Sequence, residues 1–395
     1  MTDGNNTITG IDIGSKNIRI IQAVPVPDTL HMPRILGVAK SNSEGMHHGY
    51  VINTDEVTRC IKKSLNQLEK TTNTTVSEAY VTIGSVSLRT CTVQEYIQVG
   101  TNEKSHTVSS SDIQKLITMC EQTFYKQIKN QKILHCFPGN WKLDGEKVLG
   151  TAIGMQGTTL SVDCIIVYCL EQHYTNTISA ISACGIAVTN VIAAPIAEAL
   201  VVIPKESRMA GCALVNIGSE TLSISVYEND QLVSLAVFPL GSLYITHDIA
   251  LGFQVPLDQA ELIKCGTYPD QTIPKKRLEM IVEARAEDLF EIVINHLRSL
   301  DRDILLPGGI IVTGGGSMQH NMLSMTKKYW GLPVSIPTID QLFKHSKNTL
   351  DQSWFPVLGL CKLPPPIKKI SPRGIGGSLS EAKQFMGNLI QHFIP

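Results

Sequence analysis

Three glycine-bearing turns carry the residue types that hold phosphate. The first, Asp12-Ile13-Gly14-Ser15-Lys16-Asn17, lies between two apolar stretches. A glycine there lets backbone N–H groups crowd around an anion, the Ser15 hydroxyl adds a donor and Lys16 adds charge. Asp12 is placed to hold Mg²⁺ through water, since that ion keeps several of its waters and is met by one or two carboxylates. Taken alone, this turn serves a plain hairpin as readily as a phosphate loop. The second, Asn216-Ile217-Gly218-Ser219-Glu220-Thr221, has the same apolar flanks and offers Gly218, Ser219 and Thr221. The third, Thr313-Gly314-Gly315-Gly316-Ser317, follows a strand pattern and precedes a helical one. A ligand arriving there would meet bare backbone and a helix N-terminus. Three glycines in a row cost chain entropy that a simple turn does not require. No residue stands out as catalytic.

The elements around these turns alternate between strand and helix. "ITGIDIG" and "NIRIIQAV" predict two strands joined by the first turn, and "EAYVTIG" a third. Between them Val57, Ile61, Leu65 and Leu68 repeat at helical spacing. From about residue 84 to 163 the texture changes to the strand "CTVQEYIQVG", the Ser-capped helix "SSSDIQKLITMCEQTF" and the strands "KILHCFP" and "TLSVDCIIVYC", the size of an inserted α+β subdomain. "TNTISAISACGI" and "APIAEALVVIP" read as helices. "GCALVNIG", "TLSISVYEND" and "QLVSLAVFPLG" follow as strands with turns at Ser219-Glu220 and Asn229-Asp230. A helical region then runs through "DQAELIKCG" and "RLEMIVEARAEDLFEIVINHLRSL" before the strand that ends in three glycines.

Composition narrows the classes. Apolar content of 43% and charged content of 17% are those of a globular chain, and 395 residues can bury two substantial cores. A net charge of −1 gives no reason to expect nucleic acid, so an acidic or lipid partner needs a local patch. Ten cysteines stand singly without CxxC or His/Cys clustering, which reads as buried thiols in a reducing compartment. The N-terminus has no charged n-region or apolar h-region, and no apolar run approaches the roughly 20 residues of a membrane span.

The last stretch, "GGSLSEAKQFMGNLIQHFIP", places Leu379, Phe385, Met386, Leu389, Ile390, Phe393 and Ile394 on one helical face, with Lys383 opposite and Ser378/Glu381 at capping-box spacing. Its 16 residues from Leu379 to Ile394 fit the plane of a membrane interface rather than a crossing. The preceding Pro/Gly-rich tether carries Lys362, Lys368, Lys369 and Arg373, worth roughly 1 kcal/mol each near an anionic leaflet. The other places for such a face are the protein's own body or a partner's groove; the flexible tether argues for the membrane.

Over essentially its whole length the chain resembles the FtsA family of bacterial cell-division proteins, within the actin-like ATPase superfamily. "GIDIGSKNI" and "ALVNIGSETLSISVY" are similar to the family's two phosphate motifs, "PGGIIVTGGGS" to its adenosine motif and "VIAAPIAEALVV" to its inter-domain connecting helix. "DQAELIKCG" resembles the segment whose Glu and Lys face the nucleoside, here Glu261 and Lys264. "KILHCFPGNWKLDG" through "VLGTAIGMQG" is similar to the FtsA-type insertion. The resemblance implies an α/β, two-lobed actin-like (ribonuclease-H-like) ATPase fold with an inserted α+β subdomain and a C-terminal amphipathic helix. Its implied divisions are residues 1–83 and 164–205 for the first lobe and 84–163 for the insertion. The second lobe takes 206–250, 251–306 (helical) and 307–361, followed by the linker 362–377 and the helix 378–395.

The resemblance further implies that ATP and Mg²⁺ bind at Asp12, Gly14, Ser15, Lys16, Asn17, Gly218, Ser219, Thr221, Glu261, Lys264, Gly314, Gly315, Gly316 and Ser317. It implies filaments of the chain itself, contact with the FtsZ C-terminal peptide through about residues 256–306, recruitment of later division proteins, and a place on the cytoplasmic face of the membrane at the division site. Two departures stand out. The family's second phosphate motif is usually Asp-Ile-Gly-Gly-Gly-Thr-Thr/Met-Asp, whereas this chain has Asn216, Ser219, Glu220 and Ser223. Both carboxylates that would order Mg²⁺ or an attacking water are gone, and Glu220 would set a like charge beside the terminal phosphate. The expectation is a nucleotide-dependent assembly switch with weak or absent ATPase activity. The rival readings are a PilM-type pilus-assembly scaffold and a small-molecule kinase. The second is disfavoured by the missing acids. Glu261 and Lys264 also read as a solvent pair, and Glu283, Arg285 and Glu287 as a solvated face; Asp248 matches an acidic position of the family, and His247-Asp248 reads equally as a loop capping pair.

Overall fold

The computed structural model describes residues 7–25, 32–100, 105–269, 273–302, 305–342 and 350–365. The tether beyond residue 365 and the amphipathic segment, including Leu379, Lys383, Phe385, Met386, Leu389, Ile390, Phe393 and Ile394, lie outside these residues.

The first lobe opens with β1 (Ile8–Ile13) and β2 (Asn17–Val24), antiparallel across the first turn, and β3 (Arg34–Asn42) antiparallel to β2. Helix α1 (Thr54–Thr72) starts at Asn53, whose side chain accepts from the amides of Asp55 and Glu56, and buries Val57, Ile61, Leu65 and Leu68. Strand β4 (Glu78–Ile83) then pairs parallel with β1.

The insertion consists of β5 (Arg89–Gln98), α2 (Ser110–Gln127), β6 (Gln131–Leu143) and β7 (Thr159–Leu170), with β7 antiparallel between the other two strands. Helix α2 carries a full capping box from Ser109 and Asp112. The expected boundary at residue 163 falls inside β7. The chain returns to the first lobe through α3 (Glu171–Ser182) and β8 (Ala187–Ala193), which pairs parallel with β4, and turns directly into α4 (Ala194–Val202).

The second lobe repeats the plan. Strands β9 (Cys212–Ile217), β10 (Leu222–Glu228) and β11 (Gln231–Phe238) form an antiparallel meander. Asn229 and Asp230 close its second hairpin at φ 53° and 62°, the left-handed pair that a tight two-residue turn demands. Helices α5 (Leu243–Phe253), α6 (Leu257–Lys264) and α7 (Lys275–Ser299) follow. Then β12 (Ile310–Thr313) pairs parallel with β9, and α8 (Met322–Trp330) leads to β13 (Val334–Ser335).

The first sheet has the order β8-β4-β1-β2-β3 and the second β11-β10-β9-β12-β13. Both pair their central hairpin strand with a parallel strand reached through a long crossover, so each lobe presents its strand–turn–strand at an equivalent place. Helix α4 packs on strands of both sheets and crosses α9 (Phe355–Leu360). A Cβ on Gly359 would lie 1.8 Å from the Ala197 carbonyl oxygen, so the two backbones touch there. His247 and Asp248 lie inside α5 rather than in a loop, and Asp248 takes a two-pronged ion pair from Arg285 of α7 (2.6 and 3.1 Å). Arg285 is thus part of the α5–α7 packing, not of a solvated face.

Candidate functional site

The two strand–turn–strand elements have the same internal hydrogen bond. Gly14 N donates to Asn17 O (3.1 Å) and Gly218 N to Thr221 O (2.8 Å). A Cβ would come within 3.0 Å of Asn17 O in the first turn and 2.9 Å of Thr221 O in the second. In the third turn Gly314 has φ 83°, and a Cβ would sit 2.5 Å from Asn216 Oδ1. These are cradles that any side chain would fill. The stretch after Gly314 is a 3-10 turn, Gly315–Met318, and α8 begins only at Met322, so the glycines offer bare backbone but no α-helix N-terminus.

All three turns face one cavity of about 1040 Å³ between the lobes. Of the expected binding residues, Asp12, Gly14, Ser15, Lys16, Asn17, Gly218, Ser219, Thr221, Glu261, Lys264 and Gly314 to Gly316 line it. Ser317 does not. Its hydroxyl turns back to Gly314 O (2.7 Å) and Gln352 Oε1 (3.1 Å), tying the loop from behind.

The α5–α7 cluster (Ile245, Ile249, Ala260, Ile263, Val282) fixes α6 so that its polar residues reach the cavity. Lys16 donates to Glu261 across the lobes, Lys264 Nζ lies 2.6 Å from the other carboxylate oxygen, and the Thr246 hydroxyl donates to it (2.5 Å). Burial works to raise the Glu261 pKa, but these three donors outweigh it and hold it at about 2. Lys264 is pulled down by burial against the support of Glu261. Glu261 and Lys264, for which a solvent pair is the alternative reading, are thus members of a cross-lobe ionic chain. Ser15 Oγ accepts from Gly49 N (3.0 Å).

Glu220 corrects an expectation. Its carboxylate accepts from His48 N (2.6 Å) and lies 3.9 Å from His47 Nδ1, so it clasps the first lobe rather than crowding a terminal phosphate. Asp12 is buried. Burial raises its pKa, while Arg19 Nη1 (3.5 Å) and the Thr82 hydroxyl (2.6 Å) oppose this. A carboxylate so fastened fits a hydrated cation held through water.

One acid was not singled out from sequence. Glu198 of α4 lines the same cavity and is 1% exposed. Its Oε2 accepts from Asn216 Nδ2 (2.8 Å), and its Oε1 is buried with no hydrogen-bond partner. Burial pushes its pKa up to about 7 against the pull of Asn216 and Thr313, with the charge of Asp12 adding to the rise. Within "APIAEALVV" its only signal is a lone carboxylate in an apolar helix, which is costly unless used.

The family model for the SHS2 domain inserted in FtsA matches residues 87–168, and that for cell division protein FtsA matches 213–350. The chain belongs to the FtsA family. The FtsA of Neisseria meningitidis is 25% identical over 96% of this chain and 98% of its own length. That of Bacillus subtilis is 25% identical over 82% and 77%, and that of Escherichia coli 22% over 83% of each. Among solved structures, a PilM–PilN type IV pilus biogenesis complex superposes with a TM-score of 0.68 at 16% identity, covering 90% of this chain and 97% of that one. The ethanolamine utilization protein EutJ from Carboxydothermus hydrogenoformans gives 0.55 at 13%, covering 90% and 89%. These likenesses give the fold, which is actin-like with the FtsA insertion. The glycine turns and acidic side chains of this chain gather around one inter-lobe cavity.

Proposed function

We propose that this FtsA-family protein binds ATP with Mg²⁺ between its lobes, assembles into actin-like filaments and tethers FtsZ filaments to the cytoplasmic membrane. The observation that carries the reading is the convergence of three glycine turns, from both lobes, on one cavity with Lys16, Glu261 and Lys264 at its wall. Gly14 and Gly218 would cradle phosphates with backbone N–H groups, and Gly314 to Gly316 would lie under the nucleoside. Lys16 would exchange Glu261 for phosphate oxygen. Mg²⁺, held through water by Asp12, would neutralise phosphate charge.

The segment 378–395 supplies the membrane contact in this reading. Each large apolar side chain fully buried adds roughly 1.5–3 kcal/mol as an upper bound. Filament formation would add avidity by placing many such helices on one surface. The FtsZ contact is assigned to about residues 256–306 by family resemblance, and later division proteins would dock on the assembled filament.

The test is co-sedimentation with anionic liposomes, comparing the full chain with one stopped at Pro372, each with and without Mg-ATP. Pelleting of the full chain alone, increased by Mg-ATP, supports the anchor and the assembly switch. If both forms remain in the supernatant, the membrane part of the reading is wrong and the apolar face belongs to a protein partner.

A further inference from the structure

We infer that Glu198 supplies, from the connecting helix, the carboxylate that the second phosphate turn lacks, and that it is the general base for slow hydrolysis of a nucleoside triphosphate. The inference rests on the nucleotide reading above and goes beyond it to the chemistry of the phosphate end.

Asn216, at the position usually acidic in the family motif, lies opposite Ser223 in the β9–β10 ladder, and both line the cavity without a charge. The Asn216 amide points its donor at Glu198 and so replaces a lost carboxylate with a handle on another one. The bond to Oε2 fixes the orientation of the carboxylate. Oε1, buried and without a partner, keeps its lone pairs free. A buried acceptor left unsatisfied is costly, and a water lodged between Oε1 and the phosphate turns would satisfy it.

Three other acids that line the cavity are already engaged. Asp12 is held by Thr82 and Arg19, Glu261 by two lysines and Thr246, and Asp351 by the Ser353 amide (2.9 Å). Among these acids Glu198 is the fully buried one that keeps a carboxylate oxygen without a hydrogen-bond partner. In the step it performs, the oxygen of the lodged water bonds to the terminal phosphorus. The bond from that phosphorus to the bridging oxygen breaks, and its electron pair stays on the departing diphosphate. The water's proton passes to Glu198 Oε1 and is later lost to solvent. Burial also brings this carboxyl near pH 7, where a base takes and returns protons most effectively.

The experiment measures binding of a fluorescent ATP analogue and release of inorganic phosphate by the full-length protein and by Glu198→Gln. The variant keeps side-chain shape and an acceptor for Asn216. The expected result is affinity within about threefold of the parent and phosphate release slower by about 10²-fold or more. Release at the parental rate from the variant overturns the proposal, as does a parent that binds the analogue and releases no phosphate. Loss of binding in the variant would make Glu198 a part of the cradle and likewise overturn the base role. A parent that fails to bind the analogue removes the nucleotide reading itself, a different outcome from failure at Glu198 alone.

Discussion

Replacing Glu198 by Gln should stabilise the protein, and only at neutral to alkaline pH. The carboxyl sits at 1% exposure with one donor on Oε2 and none on Oε1, so its charged form is poorly solvated. Its pKa rises from 4.5 to about 7, with burial as the leading cause. The folded value lies above the unfolded one, so the folded chain holds this proton more tightly. The stability that brings is fully present below about pH 4.5 and is lost as pH rises through 7. At about 1.4 kcal/mol per tenfold in proton affinity, the difference amounts to about 3 kcal/mol. Gln is neutral throughout and accepts from Asn216 equally well. Urea denaturation of parent and Glu198→Gln at pH 5 and pH 8 isolates the effect, because every other titration cancels between the two proteins. The gain from Gln should widen by about 2–3 kcal/mol from pH 5 to pH 8. If the two stability–pH curves run parallel, this carboxylate is solvated and the account of the phosphate end is wrong.

Other perturbations have equally definite outcomes. Gly359→Ala puts a Cβ 1.8 Å from Ala197 O; overpacking of this kind costs about 1–3 kcal/mol or more, and an unchanged denaturation midpoint would contradict the backbone contact. Glu261→Ala strips Lys264 of its charge partner and should cost about 1–3 kcal/mol in urea denaturation, lowering the midpoint in low and moderate salt alike; a shift that vanishes with added salt would mean the chain is a surface pair. His135 accepts from Ala193 N (3.1 Å) where the insertion meets the first lobe, and burial pushes its pKa down to about 3. The stability it protects is present above pH 6.5 and drains as pH falls toward 3, so His135→Gln should flatten the pH 6.5-to-5 stability slope by about 2 kcal/mol; an unaltered slope would place the acid sensitivity elsewhere.

Much of the architecture was legible because local chemistry decides it. The hairpins around Gly14 and Gly218, helix α1 with its apolar stripe and helix α2 behind Ser109 all follow from patterns within a few residues. Strands β3 and β8 did not stand out. The segment "AVTNVIA" of β8 is seven residues long, half of it only partly covered, and its partner β4 lies more than a hundred positions earlier. Helix α5, "LYITHDIALGF", is rich in β-branched and aromatic residues with weak helix preference, and becomes a helix by packing on α6 and α7. Glu198 was hidden for a related reason. Its meaning comes from Asn216, a neighbour across two elements, and no spacing along the chain announces that pairing. Glu220 shows the converse, since its charge next to a phosphate motif suggested repulsion until His48 gave it somewhere else to go.

The crossing of α4 and α9 gives Glu198 an unusual mount. Gly359 lets the backbones meet at Ala197, one residue before Glu198, and α4 rests on strands of both sheets. Whatever angle the lobes take to each other, a side chain carried on that axle travels least. The glycine turns ride on the lobes, so any change in the angle between the lobes would move the turns relative to it. If Glu198 is the base inferred above, opening and closing would bring phosphate to a stationary group, and the timing of hydrolysis would be set by the angle between lobes rather than by movement of the acid.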